Sequence, residues 1–115
     1  MVKKVMIVDD EEDIRESVKQ ILEPEGYELQ TAIDGDDALK KIPEFKPDLV
    51  LLDIMMPGTP VNEIIEKIKE KVAFCSVVKM TEAEKEDLLN KNVVGFIQKP
   101  FGVKELVKKV KEFTK

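Results

Sequence analysis

The sequence contains no histidine and no tryptophan, and only one cysteine, one tyrosine and one arginine. Each absence removes a class of chemistry. Without an imidazole there is no Ser-His-Asp triad, no histidine-ligated zinc and no imidazole general base. Cys75 alone makes neither an internal disulfide nor a Cys-x-x-Cys metal site, and a lone thiol suits a reducing compartment. No apolar run approaches the ~18–20 residues that a membrane span needs. Met1 leads straight into a short apolar run with no secretory leader, so a cytoplasmic protein is expected. One arginine, no basic stripe interleaved with aromatics and a net charge of −5 argue against a nucleic-acid partner.

What is there is enough for one folded domain. The 115 residues are 43% hydrophobic and 37% charged, which suits a single globular unit over 1–115 with a real core. The charge is unevenly placed: residues 1–53 hold 15 acids and 7 bases, whereas residues 54–115 hold 9 acids and 12 bases. Five acids are consecutive, Asp9, Asp10, Glu11, Glu12 and Asp13. A solvated helix start explains such a run as readily as a binding site does, because carboxylates suit the positive end of a helix dipole.

Five short apolar runs recur: Val5–Val8, Tyr27–Ile33, Leu49–Leu52, Phe74–Val78 and Val93–Ile97. The first and third are continuously apolar, as strands buried on both faces of a parallel sheet should be. Glu28 and Gln30 interrupt the second, which suggests a sheet edge. Segments of helical period alternate with these runs. Their stripes are Ile14, Val18, Ile21 and Leu22, closed by Pro24 and Gly26; then Ala38, Leu39 and Ile42; then Ile64, Ile65, Ile68 and Val72. Leu88 and Leu89 mark a weaker fourth, and Val103, Leu106, Val107, Val110 and Phe113 the last. Strand and helix alternating five times predict one doubly wound α/β domain. With no linker and no second module in view, any output is expected from its surface.

In an open α/β sheet, ligands gather at the carboxyl ends of the strands. The first strand runs into Asp9-Asp10, the third into Asp53, the fourth toward Thr81 and the fifth into Lys99-Pro100. Three carboxylates in one crevice repel one another unless a cation lies between them. All-oxygen donors suit Mg²⁺, and a carboxylate beside Mg²⁺ and a lysine is a nucleophile toward a phosphoryl group. Asp34, Asp36 and Asp48 read instead as cap or loop residues.

The blocks Val8-Asp9-Asp10-Glu11, Leu51-Leu52-Asp53-Ile54-Met55-Met56-Pro57-Gly58, Met80-Thr81 and Gln98-Lys99-Pro100-Phe101 resemble the signature of response-regulator receiver domains, the CheY-like family. The resemblance runs over essentially the whole chain. It implies a flavodoxin-like (βα)5 three-layer sandwich with a parallel sheet of order 2-1-3-4-5. It further implies that Asp53 accepts a phosphoryl group from the phosphohistidine of a sensor kinase or phosphotransfer protein. In that reading Mg²⁺, with Mn²⁺ as a substitute, is held by Asp9, Asp10, Asp53 and the Met55 carbonyl. Thr81 and Lys99 bind the phosphoryl group, Thr81 and Phe96 form the switch, and Lys99-Pro100 is a cis peptide. Such a protein is no turnover enzyme, catalysing only its own phosphorylation and dephosphorylation. It signals to a downstream protein, in chemotaxis or in a phosphorelay, as a monomer or a weak dimer. The alternatives are a degenerate receiver that binds partners without phosphorylation, a flavodoxin-like cofactor binder and a phosphatase. The cofactor binder would want a Ser/Thr/Gly-rich first loop, which Asp-Asp-Glu-Glu-Asp is not. A phosphatase would want a further acid or base in the site.

The sequence departs from the family pattern in four places. Only 17 residues separate Thr81 from Lys99, which predicts a shortened fourth helix. Glu82 stands where a small residue is usual, either crowding an incoming donor or facing solvent. Thr59-Pro60-Val61 replaces a glycine-containing stretch, with Pro60 suited to the first turn of a helix. Asn92 replaces a glycine before the fifth strand, where a left-handed backbone would suit it. Lys104, Lys108, Lys109, Lys111 and Lys115 on the last helix read as a solvated face, or as a surface for an acidic partner.

Overall fold

A computed structural model describes residues 2–56, 58–77, 81–87 and 92–115. Five parallel strands form one sheet: β1 (Lys4–Val8), β2 (Glu28–Ala32), β3 (Leu49–Asp53), β4 (Val72–Ser76) and β5 (Val93–Gln98). Their order across the sheet is β2-β1-β3-β4-β5. The helices are α1 (Glu12–Leu22), α2 (Gly35–Phe45), α3 (Val61–Lys67), α4 (Glu82–Asp87) and α5 (Val103–Phe113). A short 3₁₀ turn, Glu23–Glu25, carries Pro24 and closes on Gly26 at φ +93°, a left-handed backbone that glycine adopts without steric cost. The alternation is that of the doubly wound α/β domain which the runs and stripes predict, and the fold and strand order are the flavodoxin-like ones that the family resemblance implies.

Alternating side chains divide the core into two layers. Val5, Ile7, Leu49, Leu51, Ala73, Cys75 and Ile97 face α1 and α5, which contribute Val18, Leu22, Leu106 and Val110. Met6, Val8, Val50, Leu52, Val72 and Phe74 face the other way, onto Ala38, Ile42, Ile64, Ile65 and Ile68 from α2, α3 and the residue after α3. Every residue of β3 and β4 is buried, and each fully buried large apolar side chain stabilises the fold by about 1.5–3 kcal/mol. The second strand lies at an edge, with Glu28 exposed.

Several boundaries differ from the sequence reading. Val72 continues the helical stripe of Ile64, Ile65 and Ile68 on paper, but α3 stops at Lys67 and Val72 opens β4, pairing with Val50 and Val93. A β-branched residue fits a strand at least as well as a helix, and sheet pairing decides. The fourth strand therefore begins two residues before Phe74 and ends at Ser76, and Thr81 lies five residues beyond it. Pro60 is the N-cap of α3, one residue before its first turn. At six residues, α4 is the shortest α-helix among the described residues. Val78, Leu88 and Leu89 lie outside them.

Asn92 does a different job from the one expected. Among the described residues, Lys46 is the only non-glycine with positive φ. The Asn92 side-chain amide instead donates to the carbonyls of Ile68 and Glu70, at 2.7 and 2.8 Å, and its own carbonyl accepts the Val72 N–H. The amino edge of the sheet is tied elsewhere too. Asp48 accepts the Lys4 N–H at 2.8 Å, and the Lys71 ammonium donates to the carbonyls of Phe113 and Lys115 at the end of α5.

Gly95 in β5 has no room for a side chain. A methyl group there would meet the Phe113 ring at 2.6 Å. Gly95→Ala is expected to lower stability by about 1–3 kcal/mol in urea unfolding, and Phe113→Leu in the same chain to recover part of the loss in a double-mutant cycle. Additive losses would show that the two positions do not compete for this space.

Candidate functional site

The residues with chemistry continue the rows of the α1/α5 layer at the carboxyl ends of the strands, Asp53 as the last residue of β3 and Asp9 and Lys99 one residue past β1 and β5. Asp9 follows Val5 and Ile7, Asp53 follows Leu49 and Leu51, and Lys99 follows Ile97, each at a spacing of two. Because β1 and β3 are neighbours, the two aspartates come side by side. Lys99 reaches them from beyond β4, where Cys75 pairs in register with both Asp53 and Ile97. The Lys99 N–H donates to the Ser76 carbonyl at 2.7 Å, and the Lys99-Pro100 peptide is cis.

Carboxylate oxygens of Asp9, Asp10 and Asp53 lie within 4.8 Å of one another. Asp9 and Asp53 are buried and Asp10 is exposed. The Lys99 ammonium is 2.5 Å from Asp9 Oδ2 and 3.5 Å from Asp53 Oδ2. Backbone amides hold the other oxygens: Glu11 N–H donates to Asp9 Oδ1 at 2.9 Å and Met55 N–H to Asp53 Oδ1 at 3.0 Å. Arg15 donates to the Asp9 carbonyl at 2.7 Å. No motif points to Arg15, and its only signal in the sequence is that it is the single arginine.

Burial pushes the Asp53 carboxyl above its usual range, and the nearby Asp9 charge adds to this; the Met55 amide and the Lys99 ammonium oppose it without prevailing. Burial alone would push Lys99 down, but the hydrogen bond to Asp9 and the charges of Asp53 and Asp9 outweigh it, so the ammonium is held above its ordinary value. Burial pushes the Cys75 thiol up to about 12, which leaves it inert as a nucleophile beneath the site.

Other expected residues stand further out. Thr81 is exposed immediately before α4, and its carbonyl accepts the Lys85 N–H. Glu82 faces solvent, 3.9 Å from Lys85. Phe96 is half-buried on the α2/α3 side, stacked on Phe74 with ring centroids 5.6 Å apart, and the Lys85 ammonium lies 5.5 Å above its ring centroid. Met55 is exposed beside Asp53. Asp34 caps α2 by accepting the Asp37 N–H at 2.8 Å, a contact of a kind that contributes about 1 kcal/mol. Asp36 accepts from the Thr59 hydroxyl at 2.9 Å. A groove lined by Ile14, Ile21, Val77, Pro100 and Phe101 opens beside Lys99.

One cation shared among three carboxylates leaves negative charge uncompensated at the carboxyl edge of a parallel sheet. The family comparison gives this acidic edge its context. Residues 5–111 match the response regulator receiver domain, and the chain belongs to that family. Domains of this family act in two-component signalling, meet histidine kinases or phosphotransfer proteins and downstream targets, and generally bind Mg²⁺ at an acidic cluster. Among solved structures, a CheY-like receiver domain protein from Methanospirillum hungatei is 32% identical, with 97% of this chain and 93% of that one covered at a TM-score of 0.87. The chemotaxis response regulator CheY4 of Vibrio cholerae is 26% identical over 98% of this chain and 99% of that one, at 0.89. NtrX from Brucella abortus is 31% identical, the match covering 99% of this chain but 27% of that longer one, at 0.86. No helix among the described residues is long and apolar enough to cross a membrane.

The raised Asp53 carboxyl has a consequence for stability. The folded state holds this proton more tightly than the unfolded chain does, so the Asp53 contribution to stability falls as pH rises above the ordinary carboxylate range. Asp53→Asn should remove that dependence and, with divalent cations chelated, raise the midpoint of thermal unfolding at neutral pH. A lower midpoint for Asp53→Asn would show that the ionised carboxylate stabilises the metal-free fold.

Proposed function

We propose that this domain is a Mg²⁺-dependent phosphoacceptor, with Asp53 as the residue modified. The observation that carries the reading is the convergence of Asp9, Asp10 and Asp53 within 4.8 Å, with Lys99 against two of them. The donor set fits the metal. It is all oxygen, and one of its carboxylates, that of Asp10, is open to solvent for a cation that keeps several waters. Asp9, Asp10 and Asp53, with the Met55 carbonyl, would hold Mg²⁺, which when bound neutralises charge on the transferring phosphoryl oxygens.

The protein's own groups supply the rest. An Asp53 carboxylate oxygen attacks the phosphorus of a phosphohistidine; the new O–P bond forms as the P–N bond breaks, and the imidazole leaves with the electron pair. The Met55 amide orients the Asp53 carboxylate. Lys99, held by its N–H bond to Ser76, presents its ammonium to the phosphoryl group. Thr81 would hydrogen-bond the phosphoryl group, and its displacement would free Phe96 to turn. Phosphorylation shifts the population only as far as the modified site favours one arrangement over the other. The groove of Ile14, Ile21 and Phe101 beside Lys99 offers apolar surface for a phosphohistidine-bearing kinase or phosphotransfer protein. We place the protein in the cytoplasm, reporting to a downstream protein in chemotaxis or a phosphorelay, with residues 1–115 acting as one receiver domain.

Incubation with a small acyl-phosphate donor should add one phosphoryl group by intact mass, only with Mg²⁺ and not to Asp53→Asn. Equal addition to Asp53→Asn, or none to either, would leave a phosphorylation-independent interaction module. Met55 and Ala83, two positions beyond Asp53 and Thr81, have no charge with which to orient water. The purified phosphoprotein is accordingly expected to hydrolyse slowly, and a half-life of seconds would contradict this.

A further inference from the structure

Arg15 is the one arginine among 19 basic residues, and it stands where a cation is least expected. It lies in the first turn of α1, close to the end where a helix dipole favours anions. Side chains on a helix lean toward its N-terminus, so the guanidinium folds back over that turn. There Nη1 donates to the Asp9 carbonyl at 2.7 Å.

That bond completes Asp9. Its N–H donates to the Ala32 carbonyl at 3.1 Å, Oδ1 accepts the Glu11 N–H, Oδ2 accepts Lys99 and the carbonyl accepts Arg15. All four polar atoms of a fully buried residue are engaged. Asp10, the next residue, is exposed. The Asp9 carbonyl and the Asp10 N–H belong to one planar peptide unit, so a group that holds the carbonyl sets the plane from which the Asp10 side chain departs.

We propose that Arg15 is a positioning residue for the acidic site: by gripping the Asp9-Asp10 peptide it sets the Asp10 carboxylate against those of Asp9 and Asp53 for divalent-cation binding. This rests on the reading of that cluster as a Mg²⁺ site. The planar guanidinium, with donors in a fixed fork, holds a carbonyl in one direction, whereas a lysine is a rotating point donor.

The sign of the effect separates positioning from charge. By Coulomb's law alone, removing a positive group near a dication site should tighten binding. Loss of positioning should weaken it. Mg²⁺ titrated calorimetrically into the full chain should bind Arg15→Met about tenfold more weakly than the parent, as loss of a group that orients metal ligands commonly does. Arg15→Lys, with its charge kept, should fall between the two. Thermal unfolding of each metal-free chain establishes that it is folded, and if Arg15→Met unfolds, Arg15→Lys carries the test by its own loss of affinity at constant charge. Equal or tighter binding in the folded variants would overturn the proposal while leaving the Mg²⁺ site intact. No Mg²⁺ binding by the parent chain would overturn the site reading and the proposal with it.

Discussion

The Lys99 ammonium stands between two buried carboxylates, 2.5 Å from one and 3.5 Å from the other, and the organisation of the molecule answers to that charge. Taking an ion out of water costs several kcal/mol unless partners replace the water, so each buried charge here needs its own set. Backbone amides of Glu11 and Met55 are partners of the two carboxylates, and the carboxylates are the partners of the ammonium. The amides come from loops that the parallel sheet brings to one edge. With the sheet order altered, the aspartates of β1 and β3 would not meet.

The pair is nevertheless unbalanced. One ammonium faces Asp9 and Asp53, with Asp10 adjoining, so the group keeps a net negative charge in a half-dry setting. Burial raises the cost of ionising Asp53 while its neighbours hold it in place. A cation or a covalent change that removed part of this negative charge would be favoured by the same electrostatics.

Much of this was legible in the residues. Continuous apolar runs mark β1 and β3 because both faces of those strands are covered, and Asp9-Asp10 and Asp53 stand directly after those runs. Lys99 stood out through Pro100. What escaped depended on tertiary bonds with no local signature. Val72 fits a helical stripe and a strand equally, and only its pairing with Val50 and Val93 decides. Asn92 suggested a left-handed turn, but its amide found two carbonyls 22 and 24 residues away. Arg15 is polar and helical like its neighbours, and nothing before the fold shows that its guanidinium turns back to Asp9.

The ties made by Asn92, Lys71 and Asp48 give the two ends of the sheet different mechanical characters. At the amino edge, side chains clamp carbonyls and amides of neighbouring segments, stitching the start of β5 to the end of α3 and the end of α5 to the loop before β4. At the carboxyl edge Gln98 and Lys41 make similar bonds to the carbonyls of Val77 and Thr31, but Asp9, Asp53 and Lys99 add a charged group whose balance a bound cation would alter. The sheet is thus a cantilever, fixed along one margin and loaded along the other. A change of charge at the loaded margin would bear first on the helices and loops beside it.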